Sequence, residues 1–188
     1  LHIGSATSNV RVWVNGKEVG YSEDSKLEAC FDITKYVRTG ENLIALEIFR
    51  WCDGTYLEDQ DFWRLTGISR DVYVYSREKN RIEDIKVTAS ASGKAEVMVE
   101  TKKGVTSVAF DIYDPYGRKV EVLDETAVPK MGRSESGNNI ITYICTVPQV
   151  KQWTAETPWL YTLSLTAYDK KGETEKVSLQ IGFRDVCI

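Results

Sequence analysis

The sequence predicts an all-β protein, with a sandwich of the immunoglobulin-like type in its second part. Apolar and polar residues alternate with a period of two along most of the 188-residue chain, as strands with one buried face require. Turn residues such as Asn-Gly and Asp-Pro-Tyr-Gly separate these short segments. No stretch of useful length follows the helical period of about 3.6 residues, although residues 31–40, FDITKYVRTG, could hold one short turn.

The first part of the chain opens with a predicted hairpin. Residues 10–21 read VRVWVNGKEVGY, in which valines alternate with Arg11 and Trp13 before an Asn-Gly pair. Asn-Gly tolerates the positive φ angles of a type I′ turn, which joins two antiparallel strands. Residues 42–51, NLIALEIFRW, predict a central strand, and residues 68–76, ISRDVYVYS, predict another alternating strand.

Several of these early strands carry apolar residues on both faces. Such strands need cover on each side, and the first part of the chain supplies few elements to provide it. We therefore expect further strands before Leu1 in the full protein. We also expect the exposed sheet edges of the isolated chain to promote its association.

The second part is predicted to be a separate domain. A charged, apolar-poor run at residues 77–81, REKNR, marks the predicted boundary. After it come seven alternating segments, with turn signals at residues 114–117 and 170–172. Residues 129–139, PKMGRSESGNN, are interpreted as a polar loop. Seven short strands with turns between them predict a two-sheet immunoglobulin-like sandwich over residues 79–188.

Composition and charge argue against several classes of function. The net charge of -4 and the pI near 5.2 oppose a nucleic-acid surface, which needs clustered Lys and Arg. No apolar run reaches the roughly 18 residues of a membrane-spanning helix. The single histidine, His2, leaves little room for a nucleophilic triad or a histidine-based metal site. We therefore expect neither nucleic acid nor a membrane as a partner.

The four cysteines are widely spaced and include no Cys-x-x-Cys pair. This spacing argues against a zinc site, and the chain length argues against a dense disulfide framework. We expect buried or half-buried thiols at all four positions, Cys30, Cys52, Cys145 and Cys187.

Acids and aromatic rings are mixed in residues 49–72, FRWCDGTYLEDQDFWRLTGISRDV. Paired carboxylates are the catalytic groups of glycoside hydrolysis. Glu58 and Asp59 would point to opposite sides of an extended segment, whereas Asp59 and Asp61 would share a side. The simpler interpretation is that these acids cap turns and pair with nearby arginines, namely Arg50, Arg64 and Arg70.

Asp53 differs from the other acids because it follows an apolar strand and precedes a glycine. In that position a carboxylate could accept sugar hydroxyls or give one oxygen to a hard cation. A plain Asp-Gly turn explains the same pattern equally well. Four tryptophans could act as stacking platforms for sugars, although aromatic residues of sandwiches more often belong to the core; they are Trp51, Trp63, Trp153 and Trp159.

Longer motifs of this chain resemble glycoside hydrolase family 2. They are VWVNGKEVGYSEDS, FDITKYVRTGENLIALEIFRW, WTAETPWLYTL and IGFRDV, in the family's order. The pattern W-x-D-G-x-Y-L-E-D-Q-D-x-W-R-x-x-G-I-x-R-D-V is similar to the large β-galactosidases of that family. The resemblance implies the C-terminal part of a sugar-binding jelly roll, of galactose-binding-like type, over residues 1–78. It implies an immunoglobulin-like sandwich over residues 79–188, leading to a TIM barrel that is absent here.

The resemblance also implies which functional residues lie on that barrel and which lie in this chain. The family's two catalytic glutamates lie on the barrel, so no catalytic residue is expected in this chain. Asp53 matches the aspartate that contacts galactose and a sodium ion, the other sodium ligands coming from the barrel. Magnesium binds near the catalytic acid of the barrel, so no magnesium ligand is expected here. The chain would then be a non-catalytic fragment of a retaining β-galactosidase that walls the active site and supports assembly of a homo-oligomer.

Two other functions fit the same residues. A free-standing carbohydrate-binding module would use Asp53 and the tryptophans unaided, and calorimetry with galactose and lactose would reveal it. An immunoglobulin-like interaction protein would lack strand–helix repeats in the sequence after Ile188.

Overall fold

A computed structural model of the chain describes residues 1–24, 26–58, 61, 63, 65–123 and 130–186. Strands dominate these residues, which confirms the predicted all-β class. The chain divides into two compact units, Leu1–Ser76 and Arg77–Ile188. Within the described residues, no helix combines the length and apolar character needed to cross a bilayer.

The first unit contains short strands in three small sheets, with strand orders β5-β1-β8, β2-β7 and β4-β3-β6. Its elements are β1 (His2–Ile3), β2 (Ala6–Thr7), β3 (Val10–Val14), β4 (Lys17–Ser22), β5 (Ala29–Cys30), β6 (Ile44–Glu47), α1 (Thr55–Glu58), β7 (Gly67–Ile68) and β8 (Val72–Tyr73). Its core is a cluster of aliphatic side chains, including Ile3, Val10, Val12, Val14 and Ile33.

The predicted hairpin at Asn15-Gly16 is confirmed. Both residues have positive φ angles, 52° and 78°, and Val14 pairs with Lys17 across them. The Asn15 side chain also holds the turn in place, because it accepts a hydrogen bond from the Leu43 amide at 3.0 Å. The sequence therefore determines this turn locally.

Two other predictions for the first unit are corrected. The run at residues 42–51 does not form a central strand, since β6 lies at the edge of its sheet and β3 lies at the centre. The segment at residues 68–76 is interrupted, giving β7 and β8 as separate strands. Backbone bonds from Gly4 to Asp71 and from Ser69 to Ser5 keep this interrupted ribbon together.

The second unit is a sandwich of two four-stranded sheets, with orders β13-β14-β10-β9 and β12-β11-β15-β16. Its strands are β9 (Ile82–Ala89), β10 (Lys94–Thr101), β11 (Ser107–Tyr113), β12 (Lys119–Val120), β13 (Lys130–Arg133), β14 (Asn139–Thr146), β15 (Tyr161–Asp169) and β16 (Gly172–Ile181). Both sheets contribute to one buried cluster, which includes Val97, Val99, Ile112, Ile141, Leu163, Leu165 and Phe183. The Tyr143 hydroxyl donates from one sheet to the Val108 carbonyl of the other.

Strand β13 was not predicted, because its residues belong to the segment interpreted as a polar loop. It pairs with β14 across a turn at residues 134–138, where the Ser134 amide donates to the Asn138 carbonyl at 3.0 Å. Gly137 takes the positive φ of 76° that closes this turn. Its four residues, KMGR, include one apolar side chain, which is too few for an alternating signal. The predicted turns at residues 114–117 and 170–172 are confirmed.

The turn between β13 and β14 is fastened to Glu100 of β10. One oxygen of this carboxylate accepts hydrogen bonds from Ser134, Ser136 and Asn138 at 2.8, 2.9 and 2.8 Å. These donors hold the pKa of Glu100 below its usual value, with Asn138 making the largest contribution. The ionised carboxylate therefore stabilises the folded turn.

We predict that the stability of Glu100→Gln falls less between pH 7 and pH 3 than the stability of the natural chain does. A carboxyl whose pKa is depressed by folding stabilises the folded state above the unfolded pKa, about 4.3 for glutamate, and loses that contribution as the pH falls further. The difference in melting temperature between the natural chain and Glu100→Gln should therefore shrink from pH 7 toward pH 3. Glu96→Gln, an exposed position on the same strand, serves as the control. A difference that stays constant with pH would contradict the assignment.

Candidate functional site

Asp53 lies in the loop that follows β6, where the backbone leaves the sheet. The Phe49 amide donates to Asn9 Oδ1 at 3.2 Å, and the Phe49 carbonyl accepts from the Ser8 amide at 3.1 Å. After Glu47 these bonds take the place of regular strand pairing. Strand β6 therefore ends before the apolar run of residues 42–51 does. The loop is thus guided away from the sheet before it reaches Asp53.

A chain of hydrogen bonds fastens this loop to the interior. The Cys52 amide donates to Thr55 Oγ1 at 3.1 Å, and the Thr55 hydroxyl donates to Ser8 Oγ at 2.8 Å. The Ser8 hydroxyl donates in turn to the Arg50 carbonyl at 2.7 Å. Thr55 and Ser8 are only 6% and 2% exposed, so water does not readily replace these partners. This hydroxyl chain fixes the backbone on both sides of Asp53.

Asp53 itself is exposed and stands just before a single helical turn. The Tyr56 amide donates to the Asp53 carbonyl at 3.3 Å, and the Glu58 amide donates to the Gly54 carbonyl at 3.0 Å. The expectation of an extended segment is therefore wrong up to Glu58, which closes α1. Asp59 and Arg64, which the sequence analysis considered as an acid and its pairing arginine, lie outside the described residues, as do Gln60 and Phe62.

Two further side chains lie near Asp53, and the sequence analysis identified neither of them as a site residue. Ligand atoms of Glu23, Cys52 and Asp53 all lie within 4.8 Å of one another. Strands β4 and β6 are both antiparallel to β3, so the two strands finish at the same end of the sheet. Glu23 follows β4, and the loop with Cys52 follows β6. The order of the strands in the sheet, which could not be predicted from the sequence, brings Glu23 close to this loop.

The carboxylate of Glu23 is oriented by Tyr21, whose hydroxyl donates to Oε1. Partial desolvation, this hydrogen bond and the charges of Glu23 and Cys52 raise the pKa of Tyr21 to about 12. Tyr21 therefore remains a neutral donor at physiological pH. Glu23 Oε2 faces the neighbourhood of Gly54, where it could serve a cation together with Asp53.

Two of the arginines expected to pair with the loop's acids, Arg50 and Arg70, have described contacts with other groups, whereas Asp59 and Arg64 lie outside the described residues, so the predicted pairing stays a prediction. Arg70 donates to the carbonyl of Lys26 at 3.1 Å, and Arg50 lies 5.3 Å from the ring centre of Trp51. Asp61 is exposed. The described contacts therefore assign the two arginines to a backbone carbonyl and an aromatic ring.

The four tryptophans have different environments. Trp51 and Trp63 of the first unit are 45% and 79% exposed. In the second unit, Trp153 pairs with Pro158 and stacks with Arg184, whereas Trp159 packs with Lys151 at 4.2 Å. The interpretation of Trp153 and Trp159 as structural residues flanking the proline turn agrees with these contacts.

The thiols are less buried than the spacing suggested. Cys145 is buried and Cys52 is half-buried, as expected, but Cys30 is exposed, and all three are free thiols. Cys30 lies opposite His2 in the β1–β5 pair, with its sulfur 3.3 Å from His2 Nδ1. The short strand β5 at a sheet edge explains this exposure. Cys187 lies outside the described residues.

Two family models match almost the whole chain. "Glycosyl hydrolases family 2, sugar binding domain" matches residues 1–78, and "Glycosyl hydrolases family 2" matches residues 80–184. The chain belongs to glycoside hydrolase family 2. This agrees with the all-β architecture of both units and confirms the family resemblance drawn from the motifs.

Curated relatives of this family 2 chain include several β-galactosidases. The β-galactosidase of Priestia megaterium is 38% identical over 92% of this chain and 18% of its own length. Those of Photobacterium profundum and Vibrio vulnificus are each 37% identical over 95% of this chain and 18% of theirs. The chain therefore spans about 18% of the curated relatives it matches.

Solved structures with the same fold include β-glucuronidases. A Ruminococcus gnavus enzyme aligns with a TM-score of 0.74 at 21% identity, over 99% of this chain and 33% of its own. The Bacteroides uniformis enzyme aligns with a TM-score of 0.75 at 21% identity, over 97% and 24%. At this identity the likeness shows the fold of the family 2 chain and says nothing of its substrate.

We predict that Thr55→Val destabilises the chain by about 1–3 kcal/mol, because the partly buried Cys52 amide loses its hydroxyl acceptor and the Ser8 oxygen loses the hydrogen bond from Thr55. Denaturant unfolding would measure this loss. Thr66→Val is the matched control, since the Thr66 hydroxyl donates to the Thr7 carbonyl at 2.8 Å from an exposed position. That variant should stay within about 0.5 kcal/mol of the natural chain. If both variants lost the same small amount of unfolding free energy, the buried hydroxyl chain would not be what holds this loop in place.

Proposed function

We propose that this family 2 chain is the non-catalytic sugar-binding and immunoglobulin-like portion of a retaining β-galactosidase. The parent enzyme hydrolyses terminal β-D-galactosides through a covalent galactosyl-enzyme intermediate. The observation that carries the proposal is the position of Asp53. The buried hydroxyl chain holds the backbone on both sides of it while its carboxylate stays exposed.

The choice of galactoside over glucuronide is supported by sequence. The relatives at 38% and 37% identity are named β-galactosidases, whereas the β-glucuronidase structures are 21% identical to this chain. The loop W-x-D-G-x-Y-L-E-D-Q-D-x-W-R, residues 51–64, also resembles the large β-galactosidases. This loop contains Asp53, so the resemblance and the candidate site coincide.

Asp53 contacts the galactosyl group and one sodium ion in this proposal. Sodium is a hard cation and prefers oxygen donors, which the Asp53 carboxylate supplies. Glu23 offers a second carboxylate within 4.8 Å, so the residues present fit such an ion. The other sodium ligands belong to the barrel. Bound sodium would supply positive charge to orient a sugar hydroxyl, while this chain's part is to hold Asp53 in place.

The remaining chemistry belongs to the barrel in this proposal. The two catalytic glutamates and the magnesium ligands lie there, and the two sandwiches wall the active site and support a homo-oligomer. An exposed carboxylate on a loop that is held by buried hydrogen bonds suits this role, because it binds substrate only when a second surface closes over it. The chain therefore acts by positioning a ligand group.

We expect the polypeptide that carries this chain together with its barrel to hydrolyse an aryl β-galactoside faster than an aryl β-glucuronide. Asp53→Asn should lower kcat/KM for the galactoside roughly ten- to hundredfold, the loss of one charged hydrogen bond. The 188-residue chain alone should hydrolyse neither compound above background. Steady-state kinetics would measure the substrate preference of the full polypeptide, the kcat/KM of Asp53→Asn and the activity of the 188-residue chain alone.

The control for this experiment is Asp84→Asn, which removes an exposed carboxylate from β9 of the second unit. It should leave kcat/KM unchanged. Faster hydrolysis of the glucuronide would overturn the proposed substrate. Turnover by a clean preparation of the chain alone would overturn its non-catalytic role, and full activity of Asp53→Asn would overturn the role of Asp53.

A further inference from the structure

The residues that follow Asp53 include four large hydrophobic side chains that are exposed, and the proposed function uses none of them. They are Tyr56, Leu57, Trp63 and Leu65, each with 70–82% of its surface open to solvent. Large apolar side chains are normally buried, and an exposed group of them marks a surface that meets a partner. We call these four side chains the apolar face.

Two threonine hydroxyls fix the place from which the apolar face extends. The Thr55 hydroxyl donates to Ser8 Oγ, and the Thr66 hydroxyl donates to the Thr7 carbonyl, both at 2.8 Å. Thr55 and Thr66 stand on either side of the face in the sequence, and their partners are consecutive residues, so both are held at neighbouring points of the first unit. Asp53 comes just before Thr55, so its carboxylate and the apolar face belong to one anchored segment.

The size of the apolar face suits an interface within one polypeptide. Aromatic side chains bury roughly 150–250 Å² each, so the four side chains together offer an area on the order of 500 Å². A partner that covers them loses a similar area, and the total of about 1,000 Å² falls in the range of about 600–1,500 Å² for contacts between domains of one chain. Stable complexes of separate chains need about 1,200–2,000 Å². The face therefore matches a neighbouring domain better than a second copy of the chain.

A cavity beside the face indicates the chemistry of the partner. It measures about 420 Å³, and its lining includes Trp63, Leu65, Ile68, Lys26 and Arg70. No carboxylate is among its described lining residues, so two cationic groups border an apolar space. Apolar side chains with carboxylate or carbonyl oxygens at their margin would complement both features.

We propose that the apolar face docks against the catalytic barrel of the same polypeptide, on an apolar surface edged by acceptor oxygens. The inference rests on the proposed function, in which Asp53 contacts a sugar that the barrel holds. Because Asp53 and the face belong to one anchored segment, a barrel close enough to share that sugar also covers the face. The chain spans about 18% of the β-galactosidases it matches, so most of such an enzyme is available to form this partner. Docking removes the face from water and holds the carboxylate of Asp53 at the sugar.

Hydroxyl-radical footprinting tests the proposal, because side chains that a partner covers are oxidised more slowly. Tyr56, Leu57 and Trp63 should be oxidised at least about tenfold more slowly in the polypeptide that carries the barrel than in the 188-residue chain. Leu43 is the matched control, since it is 72% exposed on the same unit and should be oxidised equally in both. Equal oxidation of the face in both polypeptides would overturn the proposal, as would protection that the 188-residue chain gains alone when its concentration rises.

Photocrosslinking identifies what covers the face. Leu57→p-benzoylphenylalanine keeps a large apolar group at an exposed position, so the variant should fold as the natural chain does. Irradiation of mixed unlabelled and isotope-labelled full polypeptides should join this side chain to a barrel peptide of the same copy. Crosslinks between labelled and unlabelled copies, or crosslinks that reach no barrel peptide, would contradict docking within one polypeptide.

The docking and the choice of substrate can fail separately. A polypeptide that hydrolyses the galactoside while its apolar face stays fully oxidised would refute the docking and leave the proposed function standing. A protected face in a polypeptide that prefers the glucuronide would support the docking and refute the proposed substrate.

Discussion

The candidate site depends on one buried chain of hydrogen bonds, which runs from the Cys52 amide through the hydroxyls of Thr55 and Ser8 to the Arg50 carbonyl. Each hydroxyl both accepts and donates, so each buried polar group of the chain is satisfied by the next. An exposed loop with large aromatic residues would otherwise have many conformations to lose on binding a ligand. The hydroxyl chain limits these conformations before any ligand arrives, and it does so without using the Asp53 side chain.

Sheet order determines which side chains surround that carboxylate. Because β3 lies between β4 and β6 and is antiparallel to both, the segments that follow those two strands leave the sheet at the same end. Glu23 therefore comes close to Cys52 and Asp53, although it lies far from them in the sequence. Tyr21 contributes by holding one oxygen of Glu23 as a neutral hydrogen-bond donor.

Local chemistry made part of this architecture predictable from sequence. The hairpin at Asn15-Gly16 follows from φ preferences alone, and the alternating runs identify the long strands of the second unit. Strand β13 escaped prediction because its four residues, KMGR, are too few and too polar to give an alternating apolar signal. The helical turn α1 is only four residues long, too short for a periodic signal, so the loop after Asp53 was expected to be extended.

Of the candidate site, only the residue inside the loop motif, Asp53, was predictable from the sequence. Asp53 stood out because it follows an apolar strand and precedes glycine, whereas Glu23 carries no local sign of its role. Its proximity arises from strand pairing across long sequence separations, which a single sequence does not encode in any short pattern. Cys52 was expected to be a buried or half-buried thiol and is half-buried, but its proximity to Glu23 could not be predicted from the spacing between cysteines.

Amide hydrogen exchange at Cys52 tests the central claim most directly, because this amide opens the hydroxyl chain. If it donates to a buried hydroxyl as described, its exchange should be slowed by several orders of magnitude and should match amides of the central strand β3. Exchange at the rate of an unprotected amide would show that the loop moves independently of the sheets of the first unit. It would contradict the claim that the loop holds Asp53 in place before a ligand binds.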